Sequence, residues 1–392
     1  MKNIVYFQGG GPTTVINSSL YGVIKAFKEN KIECKLYGSL YGVEGLINNE
    51  LVDLSELKEE EIELLLQTPG AFLGSSRHKL EEGCIEFEKI AKTVKKYNIG
   101  YILPNGGNDT MDTCDKLFHY FEKNGGDVKV VGIPKTIDND LPENYFSLGF
   151  PSAARFVANA VKSLIIDASS YRKGKVTVIE SMGRDTGWLA ASSMVNEKDY
   201  RPDLLIVPEM KLDITHFIEK LKDVYEKKKY AIVMIGEGID LPHINSIADD
   251  NFGHKSMEGS GLSLCRIIEK ELKLSTRFIP LSLLMRSFSP MMSEIDRKYA
   301  VSAGKLALNS ALKGENGMMV SIKEKDKQIY LSLSKASLIA NNVRKIDPIL
   351  LKDYDEIDPS LVEYFANIID EAKGIEYENG IIKNSKLNKR KS

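Results

Sequence analysis

The chain has 392 residues, 43% of them apolar and 28% charged, with a formal net charge of −2. That length suits two or three domains with a large core, and the balanced charge excludes the basic footprint of a nucleic-acid binder. No segment approaches the roughly 18 apolar residues of a membrane span, and the apolar stretch before Gly9 is too short for a signal-peptide core. Cys34, Cys84, Cys114 and Cys265 lie far apart without a CxxC pair. They read as reduced thiols of a cytoplasmic protein rather than a zinc or redox site.

In chain order, Ile4–Phe7 reads as a buried strand, followed by the loop Gln8–Thr14. Ile16, Leu20, Val23, Ile24 and Phe27 then recur at helical spacing. Ile99–Leu103 is a second strand, with a glycine loop and a helical pattern over Met111–Phe121 behind it. Val128–Ile133, Lys175–Ile179, Leu204–Val207 and Tyr230–Ile235 continue the series of strands. Strands alternating with helices predict an α/β fold with mainly parallel sheets.

Polar and glycine clusters follow these strands: Gly9-Gly10-Gly11, Gly106-Gly107-Asn108-Asp109, Lys135–Asp140, Met182-Gly183-Arg184 and Gly236-Glu237-Gly238. Ligands of open α/β sheets bind beyond the carboxyl ends of strands, so one or two shared clefts are expected. The glycine loops fit neither GxxxxGK[ST] nor GxGxxG. Each reads either as a tight turn or as a backbone cradle for an anion.

The segment Pro134-Lys135-Thr136-Ile137-Asp138-Asn139-Asp140 is more specific. One cation and two carboxylates beyond a strand are costly to bury unpaired. A solvated loop would explain them, but not the stiffening by Pro134, Thr136 and Ile137. Phosphoryl transfer explains both: a carboxylate takes the acceptor proton, a lysine neutralises the donor phosphate and acidic oxygens help hold Mg²⁺. Arg184 suits a bidentate phosphate clamp, or pairs with Asp185 on the surface. Arg277 and Arg286 flank the apolar run Phe278–Met285, which reads as buried and places them at a cleft. The five histidines (His78, His119, His216, His243 and His254) show no HExxH spacing, and no GxSxG elbow occurs. Trp188 reads as core or cleft wall.

Taken together, these motifs resemble the phosphofructokinase family from Ile4 to about Leu312, and within it the pyrophosphate-dependent bacterial branch. The resemblance rests on Gly10-Gly11-Pro12 through Asn17, Phe72-Leu73-Gly74-Ser75 with Arg77, Gly106–Thr110, Pro134–Asp140 and Met182-Gly183-Arg184, with Glu237, Arg277 and Arg286 at matching spacing. It implies two Rossmann-like, three-layer α/β domains with the active-site cleft between them. The expected division is 1–145 plus about 268–320 for the phosphoryl donor, and 146–267 plus about 321–380 for the sugar phosphate, with 383–392 a flexible basic tail. The implied reaction moves a phosphoryl group reversibly from pyrophosphate to the 1-hydroxyl of fructose 6-phosphate, a step of glycolysis and gluconeogenesis.

By the same resemblance, Asp138 is the general base and Lys135 its catalytic partner on the donor phosphate. Thr136, Asp138, Lys175, Met182, Gly183, Arg184, Glu237, Arg277, Leu283 and Arg286 would bind the sugar phosphate. Gly11, Arg77, Gly107, Asp109 and Lys135 would bind pyrophosphate, and Asn108 with Asp140 would serve Mg²⁺. Lys175 occupies a position often contributed across a subunit interface, which implies a homodimer or homotetramer.

ATP-using relatives carry glycine where this chain has Asp109 and Lys135. A carboxylate at 109 fills and repels the space of a nucleotide's α-phosphate, and an ammonium at 135 attracts the terminal phosphate of pyrophosphate. Two positions depart from the family. Asn108 replaces an acidic metal ligand, and Leu283-Leu284-Met285 replaces more polar sugar contacts. The alternatives are an ATP-dependent 6-phosphofructokinase and a non-catalytic regulatory subunit of the same fold. A nicotinamide dehydrogenase is disfavoured by the absence of GxGxxG.

Overall fold

The computed structural model describes residues 2–31, 33–241 and 259–385; His243, His254 and the tail from 386 onward lie outside them. Apart from a two-stranded antiparallel ribbon of Tyr377–Glu378 with Ile381–Ile382, the architecture is α/β with two separate, mainly parallel sheets. The strands are β1 Asn3–Gln8, β2 Leu36–Ser39, β3 Leu51–Asp53, β4 Ile99–Gly106, β5 Lys129–Pro134, β6 Val176–Ser181, β7 Leu204–Ile206, β8 Ala231–Gly236, β9 Thr276–Pro280, β10 Met318–Lys325 and β11 Gln328–Lys335. Every strand expected from the sequence is present, and β4 runs three residues further than its β-branched core, to Gly106. Among the described residues, no helix is long and apolar enough to cross a membrane.

The first sheet has the order β11-β10-β5-β4-β1-β2-β3. In β1, side chains alternate between two buried faces. Ile4 and Tyr6 join one core with Leu20, Val23 and Ala303, while Val5 and Phe7 join another with Phe87, Ile90 and Leu117. Helices therefore cover both faces. Ile16–Glu29 and Glu294–Leu312 share the first face and cross at very short range. A Cβ on Gly304 would come within 2.0 Å of Ser19 O, so only glycine allows that crossing. β1 lies between β2 and β4, so the strand order reverses between β1 and β4. Such a reversal opens a crevice at the carboxyl ends, where Gly9–Gly11 and Gly107–Asp109 sit.

The second sheet, β7-β8-β6-β9, is wholly parallel. Val178, Leu204 and Val233 pack against Phe217 and Leu264 on one face. Ile179, Leu205 and Met234 face Val157, Val161 and Leu189 on the other, in the same continuous core as the first sheet. The two layered units are thus fused through the helix Phe150–Ser169 and share one apolar interior.

Strand pairing corrects the expected division in two places. β9, within 268–320, pairs with β6 of the second sheet, Val176 opposite Thr276. β10 and β11, mostly within 321–380, extend the first sheet beyond β5, with Met318 opposite Val131. Each unit captures the strand that satisfies its own exposed edge, and hydrophobic periodicity carries no information about which edge that is.

Candidate active site

A cavity of about 270 Å³ opens between the carboxyl ends of the two sheets. From the first sheet it gathers Gly11, Arg77, Gly107, Asn108 and Asp109. The β5 loop adds Lys135, Thr136, Asp138 and Asp140, and the second sheet adds Met182, Gly183, Arg184, Glu237 and Arg286. Residues spread over nearly 280 positions of sequence meet here because every strand of both sheets that carries one points its carboxyl end inward.

The glycine loop after β1 makes room for cations. Gly10 has φ +73°, and a Cβ there would press on the Lys135 ammonium at 3.3 Å; one on Gly11 would lie 3.2 Å from Arg286 Nη1. Lys135 is almost fully buried, 2% exposed. Its Nζ donates to Gly11 O at 2.6 Å and its backbone N–H to Gly106 O at 2.9 Å. The helix Asn108–Lys123 starts beside it at Gly107 without a side-chain cap, so its positive end faces the cavity. Asp109, in the first turn, is ion-paired with Lys79 at 3.0 Å.

On the opposite wall, Arg184 adopts the left-handed backbone at φ +49°. Non-glycine residues hold that conformation only when the surroundings demand it. Here the N–H groups of Gly183 and Arg184 both donate to Glu237 Oε1 at 3.1 Å, fixing the turn. Thr186 Oγ1 donates to Asp138 O at 3.0 Å, tying the second unit to the β5 loop.

Burial is the largest influence on five of the site's charged groups, Lys135, Asp138, Asp140, Glu237 and Arg286, and it drives each of these toward its neutral form. It pushes the Lys135 ammonium down to about 7, against the attraction of Asp138. It raises Asp138, against the pull of Arg184 and Lys135. Asp140 is raised to about 6 by burial and then by the negative charge of Asp138. Glu237 is raised for the same two reasons, and Arg286 is lowered by burial and by the nearby Arg77. A cavity holding this many desolvated charges of both signs is poised for a polyanion that arrives with its own cation.

Three expected site residues lie elsewhere. Leu283 lines an adjoining pocket of about 210 Å³ with Met182 and Glu237. Lys175 is on the surface, and Arg277 is half-exposed, 3.5 Å from Asp167. The run Phe278–Met285 is not uniformly buried, because Leu283 and Leu284 are 57% and 62% exposed. Conversely, Asn341 and Val343 line the cavity although no motif marked them. Their only signal is the polar turn that follows β11.

The sequence profile of the phosphofructokinases matches residues 3–311. A pyrophosphate–fructose 6-phosphate 1-phosphotransferase from Xanthomonas campestris is 32% identical over 383 residues, covering 94% of this chain and 91% of its own length. The crystal structure of a pyrophosphate-dependent phosphofructokinase from Marinobacter aquaeolei superposes with a TM-score of 0.89 at 27% identity, covering 100% of this chain and 97% of its own. Its counterpart from Nitrosospira multiformis gives 0.87 at 29% identity, covering 100% and 99%. With the profile spanning most of the chain and full-length relatives agreeing in sequence and shape, this protein belongs to the phosphofructokinase family.

Proposed function

We propose that this phosphofructokinase takes its phosphoryl group from pyrophosphate and delivers it to the 1-hydroxyl of fructose 6-phosphate, releasing fructose 1,6-bisphosphate and phosphate. The observation that carries the reading is the buried Lys135 ammonium, which lines the same cavity as the ion-paired Asp109 at the helix start. An ammonium whose charge is destabilised by burial gains most from a compact polyanion. A nucleotide would place its remaining phosphate and ribose against the Asp109 carboxylate.

In the forward direction Asp138 takes the proton of the 1-hydroxyl. The sugar oxygen bonds to the near phosphorus as the bond from that phosphorus to the bridging oxygen breaks. The leaving phosphate keeps that electron pair, with Lys135 and Arg77 balancing its charge. In reverse, protonated Asp138 returns the proton to the sugar oxygen. Thr136, Met182, Gly183, Arg184, Glu237 and Arg286 hold the sugar phosphate, with Leu283 at the margin of that subsite. Gly11 and Gly107 give backbone access to pyrophosphate.

Mg²⁺ fits the residues present. Asn108 Oδ1 and Asp140 Oδ1 are buried oxygens without a hydrogen-bond partner, on side chains linked by Asn108 Nδ2 to Asp140 Oδ2 at 3.4 Å. Two hard oxygens suit an ion that keeps several waters and takes further ligands from phosphates. Among the described residues no cluster of three or more His, Cys, Asp or Glu could hold a metal alone. When bound, the ion would neutralise phosphate charge.

Lys175 and Arg277 belong to this reading only through a second copy. Arg277 pairs with Asp167, next in the chain to the exposed Ile166, and an exposed apolar residue beside such a pair suits burial in a homodimer or homotetramer. Four free cysteines accord with a cytoplasmic setting. Incubating the enzyme with pyrophosphate, Mg²⁺ and fructose 6-phosphate should yield fructose 1,6-bisphosphate and phosphate in equal amounts. Failure to form the bisphosphate would refute the proposal.

A further inference from the structure

Asn139 stands between the two carboxylates of the β5 loop, yet it does not line the cavity. Its φ is +56° and its side chain is fully buried. The left-handed turn sends Asp138 and Asp140 toward the cleft and the amide between them into the interior. There Asn139 Nδ2 donates to Tyr364 Oη at 2.9 Å, and Oδ1 accepts the Ser147 N–H at 2.9 Å. Tyr364 Oη in turn donates to Tyr145 O at 2.9 Å.

The remaining donor to Asn139 Oδ1 is Arg344 Nη1, at 3.2 Å. The Arg344 guanidinium carbon lies 4.3 Å from the centre of the Trp188 ring and 5.8 Å from that of Tyr364. Its backbone N–H donates to Asp140 O at 2.7 Å, and its carbonyl accepts Trp188 Nε1–H at 3.2 Å. Among the described residues no carboxylate lies within ion-pair distance of this guanidinium. Its partners are two rings and one amide.

The chain around Arg344 forms a strap. Asn341 Nδ2 donates to Asp112 Oδ1 on the helix Asn108–Lys123 at 3.1 Å. Ile346 N–H donates at 3.2 Å to Glu209, whose carboxylate also accepts the Gly187 N–H ahead of Trp188. The strap thus runs from the first unit, over the back of the base loop, to the second. It lies beyond residue 311, where the family profile ends.

We infer that Arg344 is a positioning residue: stacked on Trp188 and Tyr364, it holds Asn139 in its left-handed turn and so fixes Asp138 against the reacting hydroxyl. The inference rests on Asp138 being the base. Without the guanidinium, Asn139 Oδ1 keeps only the Ser147 N–H, and the loop loses both the cation between the rings and one of its fixed points. A displacement of about 1 Å at the base costs on the order of 10²-fold in rate, while the pockets that bind the two phosphates are untouched.

The test compares Arg344→Ala and Arg344→Lys with the wild type, whose turnover is first measured with pyrophosphate and with ATP. Folded Arg344→Ala should lose roughly ten- to a hundred-fold in kcat, with both KM values within about two-fold. Low millimolar guanidinium should restore part of that loss, and it should not restore Asp138→Asn. A purely structural role would lower the melting temperature without this kcat loss and without rescue. Arg344→Lys keeps the charge but not the planar stack, so its kcat should be intermediate. If Arg344→Ala does not fold, Arg344→Lys and Tyr364→Phe carry the comparison through their kcat-to-KM split. Wild-type kcat in a folded Arg344→Ala, or in both Arg344→Lys and Tyr364→Phe, overturns the inference. An unaltered kcat in Asp138→Asn, or no wild-type turnover with either donor, instead overturns the functional reading beneath it.

Discussion

The two walls of the cleft are built on different terms. The donor wall is finished within one chain: Lys135 is buried against Gly11 O, Asp109 is paired with Lys79, and a helix start faces inward. The sugar wall has its turn fixed by Glu237 beneath Gly183 and Arg184. Yet two of its expected cations, Lys175 and Arg277, remain outside the cavity. On the proposed reading, donor choice is a property of the single subunit, whereas full capture of the sugar phosphate would call for a neighbour.

The largest effect should come from the group between the walls. Asp138→Asn should lower forward kcat by about 10²–10⁴-fold, the range for a positioned base, with the sugar KM almost unchanged; an unaltered kcat would remove Asp138 from its role. Next, Lys135→Met should reduce kcat/KM for pyrophosphate on the order of 10²-fold, as expected when a charge-assisted hydrogen bond is removed. Adding Asp109→Gly to Lys135→Gly should raise ATP use relative to the wild type.

The walls separate most clearly at the two arginines. Arg286→Ala removes a cation from inside the cavity and should raise the sugar KM by about ten-fold or more. Arg277→Ala removes a half-exposed one, worth at most about five-fold within a single subunit. If the interface reading is right, the Arg277 effect grows with protein concentration as subunits associate. Equal, concentration-independent effects of the two variants would abolish the distinction.

The smallest effects lie in the pH profile. On the proposed reading pyrophosphate needs the charged form of Lys135, whose pKa burial pushes down to about 7 in the free protein. Its kcat/KM should therefore decline as pH rises through about 7. Lys135→Arg, which stays charged, should not show that decline. On the acid side Asp140 is raised to about 6, so forward turnover should fall as pH drops through about 6, when Asp140 takes up a proton.

The sequence made the cleft legible because its parts are local. A β-branched run ending in glycine or in a charged loop marks both a strand and the site at its end, and β1, β4, β5, β6 and β8 each follow that rule. What it concealed depends on distant partners. The allocation of β9 and β10 to opposite sheets is decided by which edge each one satisfies. The exposed Leu283 and Leu284 have the same apolar character as core residues. Trp188 and Arg344 meet across 156 positions, and nothing in either local sequence announces the other.

Donor selection by Lys135 and Asp109 is decided by comparing the two phosphoryl donors under identical conditions, with Mg²⁺ and fructose 6-phosphate saturating. Pyrophosphate should give a kcat/KM at least about 10²-fold above that for ATP, the scale of one charge-assisted hydrogen bond at Lys135 and one repulsion at Asp109. Turnover with ATP and none with pyrophosphate would contradict the roles given to both residues.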